Sequence, residues 1–224
     1  SAGNHAQAVA FRSQQQGIKS IIVMPEKTPF TKISKTKAYG AEIILTGKTL
    51  DESKLTVERL INENGFQLVH PFDDPHIITG QGTIGLEIMD EVPNLDYLVI
   101  PIGGGGLISG ISIAAKSVNP DIKIIGVESK LYPSMSRSLA GLTLESGGDT
   151  LAEGIAVKTP GELTKPIVKE LVDKIILVNE QQIEWAISAL IEHQSIIAEG
   201  AGAAGLAAIY ASHDTFKNKR VGTV

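Results

Sequence analysis

Short segments that are apolar on both faces alternate with segments of helical periodicity along the whole chain. The clearest apolar segments are residues 97–102, 122–128 and 174–178, and helical patterns lie between them. Strands buried on both faces and joined by helices are typical of parallel sheets, because each crossover returns the chain to the same end of the sheet. The sequence therefore predicts the α/β class, with parallel sheets covered by helices.

The remaining elements follow from the same patterns and from their capping residues. Asp73-Asp74-Pro75 is a strong helix start, because proline is favoured at the first helical position. The glycine-rich residues 140–153 lack periodicity and predict a long surface loop. Further helices are predicted over residues 4–16, 29–39, 185–193 and 199–211, and from Asp51 or Ser53 to Asn64; further strands are predicted over residues 20–24, 41–45 and 67–69.

Composition narrows the possible partners and location. The chain has 20 Lys and Arg against 25 Asp and Glu, a net charge of -5, so nucleic acid is disfavoured. No segment approaches the roughly 18 to 20 apolar residues that span a bilayer, so we expect no membrane insertion. There is no cysteine, which fits a cytoplasmic protein.

Four consecutive glycines, Gly103 to Gly106, lie between a predicted buried strand and a predicted helix. Glycine costs backbone entropy, and one glycine is enough for a tight turn. A loop without side chains can offer several N–H groups to one anion at a helix N-terminus. The loop therefore favours a phosphate ligand over a simple turn.

Two nucleotide motifs fit less well. A Rossmann loop needs G-x-G-x-x-G, but Leu107, Ile108 or Ser109 always occupies a required glycine position, so a dinucleotide is only a weak rival, with Glu128 as its ribose-binding acid. Residues 47–49 read Gly-Lys-Thr like the end of a Walker A loop, but Glu42 stands where the first glycine belongs. We therefore reject the Walker A interpretation.

The first five residues, Ser1-Ala2-Gly3-Asn4-His5, form a polar turn before a predicted helix. Such a turn can hold an anion through the free N–H groups and the helix dipole. The alternative is that Ser1 and Asn4 only cap the helix.

Several motifs together resemble one family. Residues 1–7 (SAGNHAQ), 80–87 (GQGTIGLE) and 101–107 (PIGGGGL) are similar to segments of fold type II pyridoxal-phosphate enzymes, in the threonine/serine dehydratase group that is related to serine racemase. Residues 151–154 and 199–203 also resemble segments of that group. The resemblance implies a truncated two-domain fold like that of tryptophan synthase β, with residues 1–66 as a small-domain portion carrying the substrate loop and residues 67–224 as the larger cofactor-binding portion.

The resemblance also implies roles for individual residues. Asn4 would hydrogen-bond the ring hydroxyl of pyridoxal 5'-phosphate. Ser1, Gly3 and His5 would hold the carboxylate of an amino-acid substrate, and Ala2 belongs to the same substrate loop. The 5'-phosphate would be bound by the five residues of the glycine loop: Gly103, Gly104, Gly105, Gly106 and the amide of Leu107.

Two motifs of the resembled family have no counterpart in the sequence. The Schiff-base lysine lies before the segment that Ser1 begins, and a Ser-Gly-Gly-Asn segment follows a strand like residues 220–224. We therefore expect a fragment of a longer enzyme, inactive by itself, and assign no catalytic residue. The resemblance further implies a homo-oligomer at full length.

One residue separates two activities within the family. Family racemases carry a second serine, which acts as an acid/base, at the position of Ala2, and a methyl group has no proton to exchange. The resemblance therefore favours dehydration of threonine or serine over serine racemisation, with racemisation as the alternative. A second alternative is a non-catalytic α/β module that binds a phosphorylated ligand or a dinucleotide.

No metal site is expected. Glu128 resembles a cation-binding carboxylate of the racemases, but Ser134 replaces its companion aspartate. The histidines at 70, 76, 193 and 213 lack metal-ligand spacing.

Overall fold

The chain divides into two compact units, residues 1–71 and 72–224. The computed structural model describes residues 1–48 and 50–224, apart from the side chains of residues 50 and 51. Thr49 of the Gly-Lys-Thr sequence and the proposed Asp51 cap therefore lie outside the described residues. The division predicted after residue 66, with a small and a larger cofactor-binding domain, stays a prediction.

In the described residues of the first unit, three helices accompany a parallel pair of strands. The strand Ile21–Met24 pairs with the strand Glu42–Leu45, with Ile21 opposite Glu42 and Met24 opposite Leu45. Ala6 and Ala10 of the first helix are fully buried against this pair, because their small side chains allow a close approach. The elements are α1 (Asn4–Gln15), β1 (Ile21–Met24), α2 (Phe30–Lys37), β2 (Glu42–Leu45) and α3 (Leu50–Asn64).

The second unit contains four strands, β3 (Tyr97–Pro101), β4 (Lys123–Ser129), β5 (Lys174–Val178) and β6 (Val221–Thr223). They form one parallel sheet in the order β5-β4-β3-β6. Its helices are α4 (Pro75–Glu91), α5 (Gly106–Val118), α6 (Ser134–Leu139), α7 (Thr164–Leu171), α8 (Glu180–Gln194), α9 (Gly200–Ala211) and α10 (His213–Phe216), with a 3₁₀ turn at Glu153–Ile155.

Both faces of this sheet are buried. Leu98 and Ile100 of β3 belong to one apolar cluster with residues of α4 and α5. Val99, which points the other way, belongs to a second cluster with residues of α8 and α9. Successive strand residues alternate between faces, so a strand covered on both sides must be apolar throughout. The predicted α/β class with parallel, helix-covered sheets is confirmed.

Helices α4 and α5 approach each other closely at glycines. A Cβ atom on Gly110 would overlap the Ile78 carbonyl oxygen and lie 2.6 Å from the Gly82 nitrogen, and one on Gly85 would lie 2.9 Å from the Ala114 methyl group. The glycines therefore set the spacing between these two helices, and α5 begins at the glycine loop.

The predicted helix start at residues 73–75 is confirmed. Asp74 caps α4 by accepting hydrogen bonds from the N–H groups of His76 at 2.8 Å and Ile77 at 3.2 Å. Pro75 is the first helical residue. The cap and the proline fix where the chain turns into α4.

The strand predicted at residues 67–69 is wrong, because these residues form no regular element and pair with none of the described strands. Leu68 and Val69 are each 42% exposed, so an apolar run alone did not imply burial. The sequence also missed the short helices α6 and α7. N–H groups in the first turn of α6 donate to Glu128, and the two N–H groups just before α7 donate to Asp73. The predicted loop at residues 140–153 is confirmed up to the 3₁₀ turn.

In the described part of the chain, no helix combines the length and the apolar character that crossing a membrane requires.

We expect Gly110→Ala to destabilise the protein by about 1–3 kcal/mol, because the added methyl group must push α4 away from α5. Gly80→Ala is the matched control, since Gly80 is an exposed residue of α4 with open space around its Cβ position. That control should be neutral or stabilising by up to about 1 kcal/mol. Urea-induced unfolding measures both, and equal effects at the two positions would contradict the close-packing explanation.

Candidate functional site

The glycine loop begins where β3 leaves the sheet. The Ile102 N–H donates to the Val127 carbonyl at 2.7 Å, and the next four residues run without side chains into α5. Gly105 adopts the left-handed conformation, with φ of 96°, and is the N-cap of the helix. The Ser109 N–H then donates to the Gly105 carbonyl at 3.0 Å, which starts the helical hydrogen-bond pattern.

All four glycines are packed so closely that none could carry a side chain without displacing a neighbour. A Cβ atom on Gly104 would overlap the Phe72 ring, and one on Gly106 would lie 2.9 Å from the Phe72 Cα. On Gly105 it would lie 2.7 Å from the Thr164 Oγ1, and on Gly103 it would lie 3.1 Å from the Val157 side chain. The glycines are therefore required by packing as well as by the turn.

The N–H groups of this loop are available to a ligand. Among the described residues, no protein acceptor receives a hydrogen bond from any N–H between Gly103 and Leu107. Gly104, Gly105 and Gly106 are buried, and a buried donor without a partner costs about 1–3 kcal/mol. An anion with several acceptor oxygens, such as a phosphate, would satisfy these donors at the positive end of α5. The loop therefore fits the phosphate of pyridoxal 5'-phosphate.

The other predicted site segment begins α1 in the first unit. Gly3 is the N-cap of this helix, and no side chain caps it. The first N–H groups of a helix have no intrahelical acceptor, so this turn also has the donors that a carboxylate needs. Ser1 is exposed, and Ala2 packs against the apolar cluster that contains Ala6.

His5 is fixed by a contact that the sequence did not reveal. Its Nε2 lies 2.9 Å from the Val69 carbonyl oxygen, which can only accept, so Nε2 carries the proton. Burial lowers the pKa of His5, although the hydrogen bond to Val69 opposes this effect. The imidazole is thus neutral near pH 7 with Nδ1 as an acceptor, which leaves the backbone N–H of His5 as its donor to a carboxylate.

Glu128 serves the fold through both of its carboxylate oxygens. Oε1 accepts from the Met135 N–H at 2.7 Å and Oε2 from the Ser136 N–H at 3.0 Å, so this fully buried side chain caps the first turn of α6. Burial raises the pKa of Glu128, and the hydrogen bonds from Ser136 and Met135 offset part of that rise. The geometry explains Glu128 without the ribose of the dinucleotide interpretation or a cation. Among the residues described, no cluster of three or more His, Cys, Asp or Glu side chains could hold a metal ion.

Several residues that shape this region were not identified from the sequence. Phe72 and Thr164 pack against the glycine loop, and Asp73 accepts hydrogen bonds from the N–H groups of Glu162 and Leu163 at 2.9 Å. Glu180 accepts from Thr150 Oγ1 at 2.8 Å and from the Leu151 N–H at 2.7 Å, and so anchors the end of the long loop. These partners lie far apart in the chain, so no local pattern could have shown them.

Comparison with known proteins agrees with the loop geometry. A family model described as pyridoxal-phosphate dependent enzyme matches residues 1–224, and the chain belongs to this family.

The relatives described next align with the whole of this chain, and each of them is longer than it. The L-threonine ammonia-lyase of Thermotoga maritima is 50% identical over 226 residues, which is 100% of this chain and 56% of the relative. The maize serine racemase structure has a TM-score of 0.94 at 35% identity and covers 100% of this chain and 70% of its own. The processed threonine deaminase isoform 2 of Solanum lycopersicum has a TM-score of 0.93 at 39% identity, covering 100% and 62%. The chain spans a little over half the length of the curated relatives it matches.

We expect Glu128→Gln to destabilise the protein by about 1–3 kcal/mol, because the new amide nitrogen is a donor placed against a backbone donor. The raised pKa of Glu128 sets the pH dependence. In the wild type, the contribution of the Glu128 carboxyl group to the free energy of unfolding is complete below the ordinary pKa of 4.5. It declines as the pH rises through the pKa of the folded state. Glutamine does not titrate, so the difference in free energy of unfolding between the two proteins should be larger at the acid end.

Urea-induced unfolding at several pH values, from about 4.5 to about 8, measures this difference. A wild-type advantage that grows with pH would show that the pKa of Glu128 is not raised. Equal stability of the two proteins at every pH would show that α6 does not depend on the carboxyl group.

Proposed function

We propose that the protein is a pyridoxal-phosphate-dependent ammonia-lyase that converts L-threonine, and L-serine as a second substrate, into a 2-oxo acid and ammonia. One observation carries the proposal: the N–H groups of Gly103 to Leu107, three of them on buried glycines, have no acceptor in the described chain, at a helix start that suits a phosphate. The threonine ammonia-lyase of Thermotoga maritima, identical at 50% of aligned positions, supports the choice of reaction.

The glycine loop would bind the cofactor phosphate through its backbone N–H groups. It needs no cationic side chain for this, because the helix dipole and the uncompensated donors already favour a negative charge. Asn4 would hydrogen-bond the ring hydroxyl of the cofactor, as the family resemblance implies. When bound, pyridoxal 5'-phosphate supplies an electron sink for the bond that breaks at the substrate Cα.

The turn at Ser1, Ala2, Gly3 and His5 would hold the substrate carboxylate. Its N–H groups precede or begin α1, and the neutral His5 side chain, held by Val69, keeps the turn in place. Fixing the carboxylate restricts rotation of the amino acid and so determines which bond at Cα can break. Threonine and serine differ by one methyl group, worth only about 1–3 kcal/mol in a pocket, so both are proposed substrates.

Location and assembly are part of the same proposal. The absence of cysteine fits the cytoplasm, and the family resemblance supports a homo-oligomer. The whole enzyme would therefore act on a small amino acid in the cytoplasm as an oligomer.

The test is the reaction of the full-length protein with L-threonine, followed by quantification of 2-oxobutyrate and ammonia. Gly105→Ala should lower the rate at least about tenfold, because the methyl group both strains a left-handed residue and meets Thr164 within the loop. Gly141→Ala is the matched control, since Gly141 is also left-handed, with φ of 67°, but has open space around its Cβ position. No 2-oxobutyrate from the wild type, or equal rates for the two variants, would contradict the proposal.

Serine racemisation is the second candidate function, supported by the TM-score of 0.94 with maize serine racemase. Ala2 argues against it, because its methyl group cannot exchange a proton with Cα.

We expect Ala2→Ser to increase the formation of D-serine from L-serine, because the hydroxyl supplies the missing acid/base. Chiral chromatography of the full-length variant measures the product. Ala8→Ser is the control, since Ala8 is exposed on α1 and should leave the enantiomer ratio unchanged. Equal D-serine from the wild type and Ala2→Ser would show that Ala2 does not decide between the reactions.

A further inference from the structure

Thr164 lies directly against the glycine loop. It is the first residue of α7 and is fully buried. Its Oγ1 donates to the Gly104 carbonyl oxygen at 2.6 Å, across 60 positions in the sequence. The Gly161 N–H donates to the same oxygen at 3.1 Å. Two donors therefore saturate the acceptor capacity of this one carbonyl group.

A fixed carbonyl group fixes the N–H group of the next residue as well. The peptide bond between Gly104 and Gly105 is trans and planar, so its C=O and N–H point in opposite directions. With the Gly104 oxygen directed at Thr164, the Gly105 N–H is directed away from Thr164. That N–H has no acceptor among the described residues. Its direction is therefore determined by the groups that bind the carbonyl oxygen of Gly104.

The glycines cannot hold this orientation by themselves. A peptide unit between two glycines rotates more freely than any other, because neither residue has a Cβ. The hydroxyl that restrains it is itself held firmly, since the Asp73 carboxylate accepts hydrogen bonds from Glu162 and Leu163, immediately before Thr164. Thr164 Oγ1 also lies 3.2 Å from the Gly161 oxygen, but a hydroxyl has one proton and the shorter contact is to Gly104.

We propose that Thr164 is a positioning residue that orients the Gly104–Gly105 peptide so that its N–H faces the phosphate of the bound cofactor. The inference rests on the proposed cofactor site and adds to it a residue outside the glycine loop. Thr164 acts through the peptide of Gly104 and needs no contact with the phosphate. Its hydroxyl should therefore affect ligands that carry the phosphate and leave unchanged those that lack it.

The test compares binding of pyridoxal 5'-phosphate and of pyridoxal, which lacks the phosphate, to the full-length protein by equilibrium dialysis. Thr164→Val removes the hydroxyl and should weaken binding of pyridoxal 5'-phosphate by about tenfold or more, as expected for a lost hydrogen bond to a charged group. Binding of pyridoxal should stay the same. Thr164→Ser keeps the hydroxyl and should restore the preference for the phosphate.

Thr36→Val is the matched control. Thr36 is also fully buried, and its Oγ1 also donates to a backbone carbonyl, that of Lys32 at 2.9 Å, but within α2 of the first unit. The same chemical change there should leave the ratio of the two affinities unchanged. If Thr164→Val does not fold, as judged by circular dichroism, Thr164→Ala is measured by the same criteria.

The outcomes separate the two proposals. A wild-type protein that binds both compounds equally would overturn the phosphate site and this inference with it. If the wild type prefers pyridoxal 5'-phosphate and the variant without the hydroxyl keeps the same preference, the role of Thr164 alone is overturned. An equal loss of both affinities in Thr164→Val would also overturn it, because it would show a general structural effect.

Discussion

The four consecutive glycines after β3 are required because neighbouring groups occupy the space in which side chains would lie. Phe72 packs against Gly104 and Gly106, while Thr164 packs against Gly105 and bonds the carbonyl of Gly104. A flexible stretch of backbone is thereby held in one conformation, with its N–H groups left for a ligand. The glycines cost conformational entropy on folding, and buried donors without a partner cost free energy. A bound anion would offset both costs.

The rest of the second unit supports this loop. The parallel sheet brings the end of β3 beside that of β4, where Glu128 caps α6. The close approach of α4 and α5 at Gly110 fixes the helix that the loop begins. Asp74 caps α4, and Asp73 accepts hydrogen bonds from the two residues just before α7. Most of these restraints are hydrogen bonds that backbone N–H groups donate to carboxylates. Such bonds are strong because one partner is charged, and those of Asp73 join segments that are far apart in the chain.

Prediction from the sequence was most successful where the structural cause is local. The apolar strands, the cap at Asp74 and the glycine loop follow from side-chain periodicity and from single-residue conformational preferences. Prediction failed where the cause is a contact, or a missing strand partner, that only the folded chain shows. Residues 67–69 have the composition of a strand but pair with none of the described strands, and α6 begins where Glu128 accepts its first N–H groups. The sequence predicts that the glycine loop binds a phosphate, and it could not show that Phe72 and Thr164 pack against this loop.

The sequence by itself determined the α/β class, the parallel sheet and the family, because these depend on periodicity and on short motifs that are read along the chain. Only the tertiary structure decided that Glu128 is a helix cap, that His5 donates to Val69, and that Thr164 holds the Gly104 carbonyl group. The physical reason is that a hydrogen bond depends on the distance and direction between two groups. For partners that are many residues apart, folding alone sets that distance and direction.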